Sequence, residues 1–149
     1  MSLPKMKFRE IVFQLLFSEE FSAFEEEGIP FMMRLLFVTK KGVREAWEHT
    51  LKIREKIAEL DALISQYSRE YSVDRISKAE LTILRLSLFE LLYDASVPPK
   101  VAISEAVRLT RKYATRDSAK YVNAILDAIL NEKLNNSLSE NPILESRSV

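Results

Sequence analysis

Apolar residues recur every three or four positions through most of this chain, the spacing of one helical face rather than the alternation of a strand. After Pro4, the residues Phe8, Ile11, Val12, Leu15 and Leu16 trace one such face, and Phe13, Phe17 and Phe21 broaden it. The pattern stops at the Gly28–Pro30 break and returns in FMMRLLFV at 31–38, where Lys40, Lys41 and Gly42 read as an exit. A long helix is predicted from about Val43 to Tyr67, with Ala46, Thr50, Ile53, Ile57, Leu60 and Ile64 as its stripe. The segment SREYSVDRIS at 68–77 breaks the spacing and marks a joint between two halves.

The second half has clearer punctuation. Ser77 followed by Glu80 fits a capping box, in which hydroxyl and carboxylate each satisfy a free backbone N–H. The helix it opens should reach about Tyr93, with Leu81, Leu84, Leu88 and Leu91 on one side. Proline tolerates a first helical turn, so VPPKVAISEA at 97–106 starts another helix, running to about Tyr113. Asp117 or Ser118 caps the last one, whose apolar face is Val122, Ile125, Leu126 and Ile129. From Asn135 the chain turns polar and irregular, with Pro142. The expected fold class is therefore all-α, six or seven helices in two small bundles. The boundaries are an N-terminal subdomain over 1–70, a C-terminal one over 71–133 and a flexible tail over 134–149.

Composition narrows the function classes. The chain has 149 residues, two glycines and no cysteine, which excludes a disulfide scaffold, a thiolate metal site and cysteine chemistry. Its longest apolar-looking stretch, ILRLSLFELLY at 83–93, holds Arg85 and Glu90 and is too short and polar to span a bilayer. No membrane association and a cytoplasmic location are the expectation. The 22 basic and 22 acidic residues cancel, but unevenly. Residues 18–27 carry five acids and no base, whereas 105–120 hold Arg108, Arg111, Lys112, Arg116 and Lys120 against Glu105 and Asp117. Either this mixture simply keeps helices soluble, or a neutral chain carries a local basic face.

No catalytic constellation is visible. Two glycines cannot build a phosphate-cradling loop, and there is no GxSxG elbow. His49, the only histidine, shares a face with Glu45, but two ligands do not make a metal site, and a solvated histidine is the expectation. No metal and no cofactor are expected. Arg85 and Glu90 are structural polar candidates, because charges inside an apolar helix need partners or an exposed seam. Glu90 is expected to accept backbone N–H groups near Val101 to Ile103. TRDSAKYVNAILD at 115–127 sets Lys120, Tyr121 and Asn123 near a helix N-terminus. Free N–H groups there favour phosphate, and an accessible tyrosine can stack on a base. The alternative is a plain capped helix with its tyrosine in the core.

These same stretches carry a resemblance. ILRLSLFELL at 83–92, VPPKVAISEAVRL at 97–109 and DSAKYVNAILD at 117–127, in that order and spacing, resemble the NusB family of bacterial transcription antitermination proteins. REIVFQLLF at 9–17 resembles the family's first helix. The resemblance implies two small three-helix bundles packed together and a non-enzymatic function. It implies binding of boxA-type single-stranded RNA jointly with ribosomal protein S10 (NusE), in a complex with other Nus factors and RNA polymerase that suppresses termination. It implies an RNA face of Lys5, Lys7 and Arg9 on an N-terminal arm with Arg111, Lys112, Lys120 and Tyr121. It also implies a protein-partner face at Glu80 and Phe17, and homodimerisation of the kind some members show. This chain departs from the family in its thin basic arm, in Ser104 for a common asparagine and in Ala124 for a common glycine. Two other readings stand beside it: a purely protein-binding helical scaffold, and a stand-alone relative of the RNA-binding domain of ribosomal RNA methyltransferases.

Overall fold

Every residue from Leu81 to Leu91 is buried, polar and apolar alike. A helix hidden on all sides must be the centre of its fold. In a computed structural model of the chain, which describes residues 3–19, 33–34, 39–68 and 73–140, it is. With it the described residues form six α-helices: α1 (Lys5–Glu19), α2 (Lys40–Glu55), α3 (Ile57–Tyr67), the central α4 (Lys78–Tyr93), α5 (Pro99–Tyr113) and α6 (Arg116–Glu140). The central α4 packs against each of the other five. The first three helices form one bundle and the last three another, with α1 and α3 lying on α4 and α3 also reaching α6. The core is continuous across both, from Ile11 and Leu15 through Ile53, Leu60 and Ile64 to Leu84, Leu109 and Leu126.

Local signals account for the starts of α4 and α5. The Ser77 hydroxyl accepts the Glu80 N–H at 3.2 Å and opens α4. The Glu80 carboxylate, however, is used by the Ser118 hydroxyl at 2.5 Å and so ties α4 to the start of α6. Pro98 precedes α5, and the Val101 and Ala102 N–H groups both bond its carbonyl.

Four expectations are corrected. Lys40, Lys41 and Gly42 are the first turn of α2, because Thr39 caps it by accepting the Gly42 N–H at 3.1 Å. A Cβ at Gly42 would come within 2.6 Å of Leu3 Cδ1, so the end of the Leu3 side chain would have to shift. The helix predicted over Val43 to Tyr67 is two helices, since at Lys56 the N–H turns back to Ile53 at 2.9 Å. Nothing about Lys56 in the sequence explains this break, and the apolar spacing passes through it unchanged. The cap of α6 is Thr115, whose hydroxyl accepts the Ser118 N–H at 3.0 Å, rather than Asp117 or Ser118. Finally, α6 continues to Glu140, because NEKLNN at 131–136 contains no breaker and an exposed helix needs no apolar stripe to persist. Residues 20–32, 35–38, 69–72 and 141–149 lie outside the described part. With them lie most of the predicted helix at 31–38, the acidic run and Pro142.

The buried charges are joined in pairs. Glu90 takes the Arg9 Nε–H on both oxygens, at 2.8 and 3.1 Å, and Arg9 Nη1 donates to Glu105 at 3.0 Å. The expectation that Glu90 bonds the backbone of Val101 to Ile103 is therefore wrong: a guanidinium from α1 takes its place. Arg85 forms a bidentate pair with Asp61 of α3, both contacts at 2.8 Å.

Water access separates these two pairs. The Glu90 side chain is 7% exposed and the Asp61 side chain 25%. Removing one partner of a fully buried pair strands the other charge, at a cost of about 3–5 kcal/mol. Arg9→Ala should therefore lose about that much in urea unfolding. Arg85→Ala should lose clearly less, since water reaches the stranded Asp61. Equal losses would contradict the ranking.

Candidate nucleic-acid interface

Between Tyr113, which ends α5, and Arg116, which starts α6, stand only Ala114 and Thr115. So short a joint folds the two helices back on each other. The last turns of α5 and the first turns of α6 then enclose an open groove of about 680 Å³. Its rim carries Arg111, Arg116 and Lys120 against one acid, Asp117, with Val107 and Asn123 completing the walls. All three bases are exposed, and none makes an ion pair among the described residues. The free N–H groups of the first turn of α6 add partial positive charge at the same end. A groove of this kind is suited to phosphate.

The sequence-derived RNA face is thus only partly assembled. Arg111 and Lys120 meet in the groove. Arg116, which lies outside the face the resemblance implies, joins them; its spacing of four from Lys120 is the signal that points to it. Tyr121 does not share the groove. It is half-buried on the neighbouring side of α6, beside Ser77, Glu80 and Ser118, and its hydroxyl bonds the Ser68 hydroxyl at the end of α3. Adjacent helical residues point about 100° apart, so Lys120 and Tyr121 flank Asp117 on different faces.

Arg9 belongs to the core rather than to an exposed arm: 5% of its surface is accessible and its guanidinium serves Glu90 and Glu105. Lys5 is exposed and Lys7 half-buried on the first turns of α1, neither with an ion pair among the described residues. Lys112 is turned from the groove toward α1, where it bonds Glu10 and lies 5.6 Å above the Tyr113 ring. Arg108, also outside the expected face, stands between Glu105 at 2.6 Å and Glu10 at 3.3 Å.

Glu80 and Phe17, expected on a protein-partner face, lie toward the same end. Glu80 meets the start of α6 through Ser118. Phe17 stacks on Phe13 at 5.5 Å, and Phe13 on Tyr113, the last residue of α5, at 4.3 Å. His49 is not a solvated side chain. It sits edge-on between Phe8 at 5.4 Å and Phe89 at 5.3 Å, and burial pushes its pKa down. Among the described residues no group of three or more potential metal ligands comes together, and no helix is long and apolar enough to cross a membrane.

The carboxylates of this ionic cluster respond to their surroundings in two ways. Burial alone would raise Glu10 and Glu105, but hydrogen bonds and charge from Lys112 and Arg108 for the first, and Arg108 and Arg9 for the second, hold both below their ordinary value. Glu90 is different: burial pushes it up against the pull of Arg9.

The family model described as the NusB family matches residues 6–131. The transcription antitermination protein NusB of Thermotoga maritima is 35% identical over 133 residues, which cover 89% of this chain and 94% of that protein. The protein of the same name from Chlamydia pneumoniae is 33% identical over 141 residues, covering 94% of this chain and 86% of that one. A solved structure of the T. maritima NusB superposes with a TM-score of 0.74 at 33% identity, over 89% of this chain and 94% of that one. A crystal structure of the antitermination factors NusB and NusE in complex with dsRNA gives a TM-score of 0.72 at 25% identity, over 86% and 96%.

The shifts fix a pH dependence. A carboxylate held below its ordinary value of 4.5 contributes stability above that pH and loses it as pH falls through the folded value. The stability gap between the native chain and Glu10→Gln should therefore be widest above the ordinary value of 4.5 and shrink as pH falls below it. For Glu90, whose pKa is raised, the native chain should instead lose ground to Glu90→Gln as pH rises above 4.5. Denaturant unfolding across this range checks both. Gaps that move in the same direction would contradict the assignment.

Proposed function

Because this chain belongs to the NusB family, we propose that it is a non-enzymatic transcription antitermination factor of the cytoplasm. It binds boxA-type single-stranded RNA together with ribosomal protein S10 (NusE). With other Nus factors and RNA polymerase it promotes processive transcription, especially of ribosomal RNA operons. The observation that carries the RNA part is the groove between α5 and α6, where Arg111, Arg116 and Lys120 converge at a helix N-terminus on a chain of zero net charge. The relative solved with NusE and dsRNA supports the choice of partners.

The binding mode follows from the distribution of charge. Phosphates lie along the groove and against Lys5 and Lys7, each contact contributing through release of counterions. Tyr121, half-buried and tied through its hydroxyl to Ser68, lies on the adjacent side of α6 and outside the groove. Few clustered bases give weak binding to the chain alone. An S10 partner docked at the end where Glu80 and Phe17 lie brings its own basic surface beside the groove and completes a composite site. Each ligand then strengthens the other to the same degree. A homodimer covering this end would compete with both.

Labelled boxA-type RNA titrated at fixed salt, with and without saturating S10, tests the reading. Affinity should be higher with S10 present. Lys120→Ala should weaken RNA binding and reduce the slope of log K against log salt by about 0.7, the contribution of one phosphate on a single strand. Glu80→Ala should act mainly through S10. Ser118→Ala removes the same hydrogen bond but keeps the carboxylate, and so separates partner contact from the steadying of α6. Equal affinities in the two titrations would rule out cooperation. No RNA binding in either would favour the protein-scaffold reading.

A further inference from the structure

The basic residues on this side of the molecule are not equally available. Arg111, Arg116 and Lys120 face the groove with no ion pair among the described residues. Lys112, one position further along α5, is held by the Glu10 carboxylate, and Arg108, one turn earlier, bonds the same oxygen of Glu10 at 3.3 Å. Two cations of α5 thus share one acid of α1.

Position makes this consequential. Lys112 stands on the flank of α5 that faces α1, next to Arg111 on the flank that faces α6. It therefore separates the groove from exposed Lys5 and half-buried Lys7 at the start of α1. Its side chain is 52% exposed, so a ligand can reach it, whereas Glu10 is 11% exposed and fixed from below. An ammonium on a four-carbon stem can exchange one anionic partner for another by rotating its own bonds. Glu10 has no such freedom: it lies on a helix whose next residues, Ile11 and Val12, are fully buried.

We propose that Glu10 is an internal competitor of the RNA backbone. Its carboxylate occupies Lys112, and with it Arg108, in the place a phosphate would take, and so sets both the affinity and the salt dependence of the face. The proposal rests on the RNA-binding reading above and adds a regulatory element to it. In the free chain the Glu10–Lys112 pair divides the basic surface in two. A strand that reaches across from the groove toward Lys5 and Lys7 must displace Glu10 from Lys112, and the lost pair is subtracted from the binding free energy. The other groups facing the pair do not offer a replacement. Glu105 is taken by Arg9 and Arg108, Glu90 by Arg9, and Tyr113 offers Lys112 only its ring.

The test is a double-mutant cycle on the full chain, with a short boxA-type single-stranded RNA as probe and a poly(U) strand of equal length beside it. Glu10→Gln keeps the shape and removes the charge. It should tighten RNA binding about twofold to fivefold, the equivalent of a partly exposed ion pair. It should also steepen the salt slope by about 0.7 as one more phosphate is engaged. Lys112→Ala should weaken binding little in the native chain and clearly more in the Glu10→Gln background. Both probes should respond alike, because the competition concerns backbone charge and not bases. A purely structural role for Glu10 would lower the melting midpoint and leave the salt slope unchanged. Should Glu10→Gln not fold, Glu10→Asp keeps the charge but shortens its reach to Lys112, and should show the same signs at smaller size. A folded Glu10 variant with unchanged affinity and slope, or Lys112→Ala effects equal in both backgrounds, would overturn the proposal while leaving RNA binding intact. Absence of binding by the native chain would overturn the underlying reading instead.

Discussion

The Arg9 guanidinium holds the fold together where its two bundles meet. It reaches from α1 to Glu90 in the last turn of α4 and to Glu105 on α5. Three helices are fixed in register by one side chain, because a planar fork of donors meets two carboxylates that have little access to water. The hydrophobic effect supplies most of the stability but has no direction. Stripes of Leu and Ile would tolerate several rotations and shifts of α1 against α4. A buried charge that must find its partner tolerates very few, and this constraint is what gives α1 its place. Arg85 and Asp61 do the same for α3 at the opposite side of α4, in a wetter setting.

Everything on the functional side follows from how this cluster spends its charges. The cluster extends outward from Arg9 through Glu105 to Arg108 and from there to Glu10 and Lys112. It passes from the dry interior to the surface along one flank of α5. Bases on that flank are neutralised from within, and bases on the other flank, above the groove, are not. The basic face of a neutral protein is thus created by allocation rather than by excess. The RNA strand of the proposed function would meet a surface whose positive charge has been sorted by the packing of α1.

The apolar part of this architecture was legible in the sequence because helical periodicity is local. The stripes on α1, α4 and α6, the Ser77 cap and the Pro98–Pro99 start of α5 all depend on residues a few positions apart. Partners of buried charges are not local. Glu90 could be recognised as needing a partner, but Arg9 stands 81 positions away, and nothing near either residue names the other. For the same reason the resemblance places Arg9 in a basic N-terminal arm with Lys5 and Lys7, and only the packing of α1 onto α4 shows it to be buried. Lys120 and Tyr121 were read as one face because they are neighbours in sequence, whereas the helix sends neighbours apart. Lys56 shows the converse limit: the chain breaks there without disturbing the apolar spacing that carried the prediction.

We propose the groove between α5 and α6 as the RNA surface, with Arg9 as a structural joint beneath it. Backbone and guanidinium resonances of the isotope-labelled chain, followed during titration with boxA-type RNA, test this directly. The account predicts that amide shifts concentrate around Arg111, Arg116, Lys120 and Asn123, while the Arg9 Nε–H signal stays in place and protected from exchange. Shifts centred on α2 and α3 with none at the groove, or an Arg9 Nε–H that exchanges freely and moves with RNA, would contradict it.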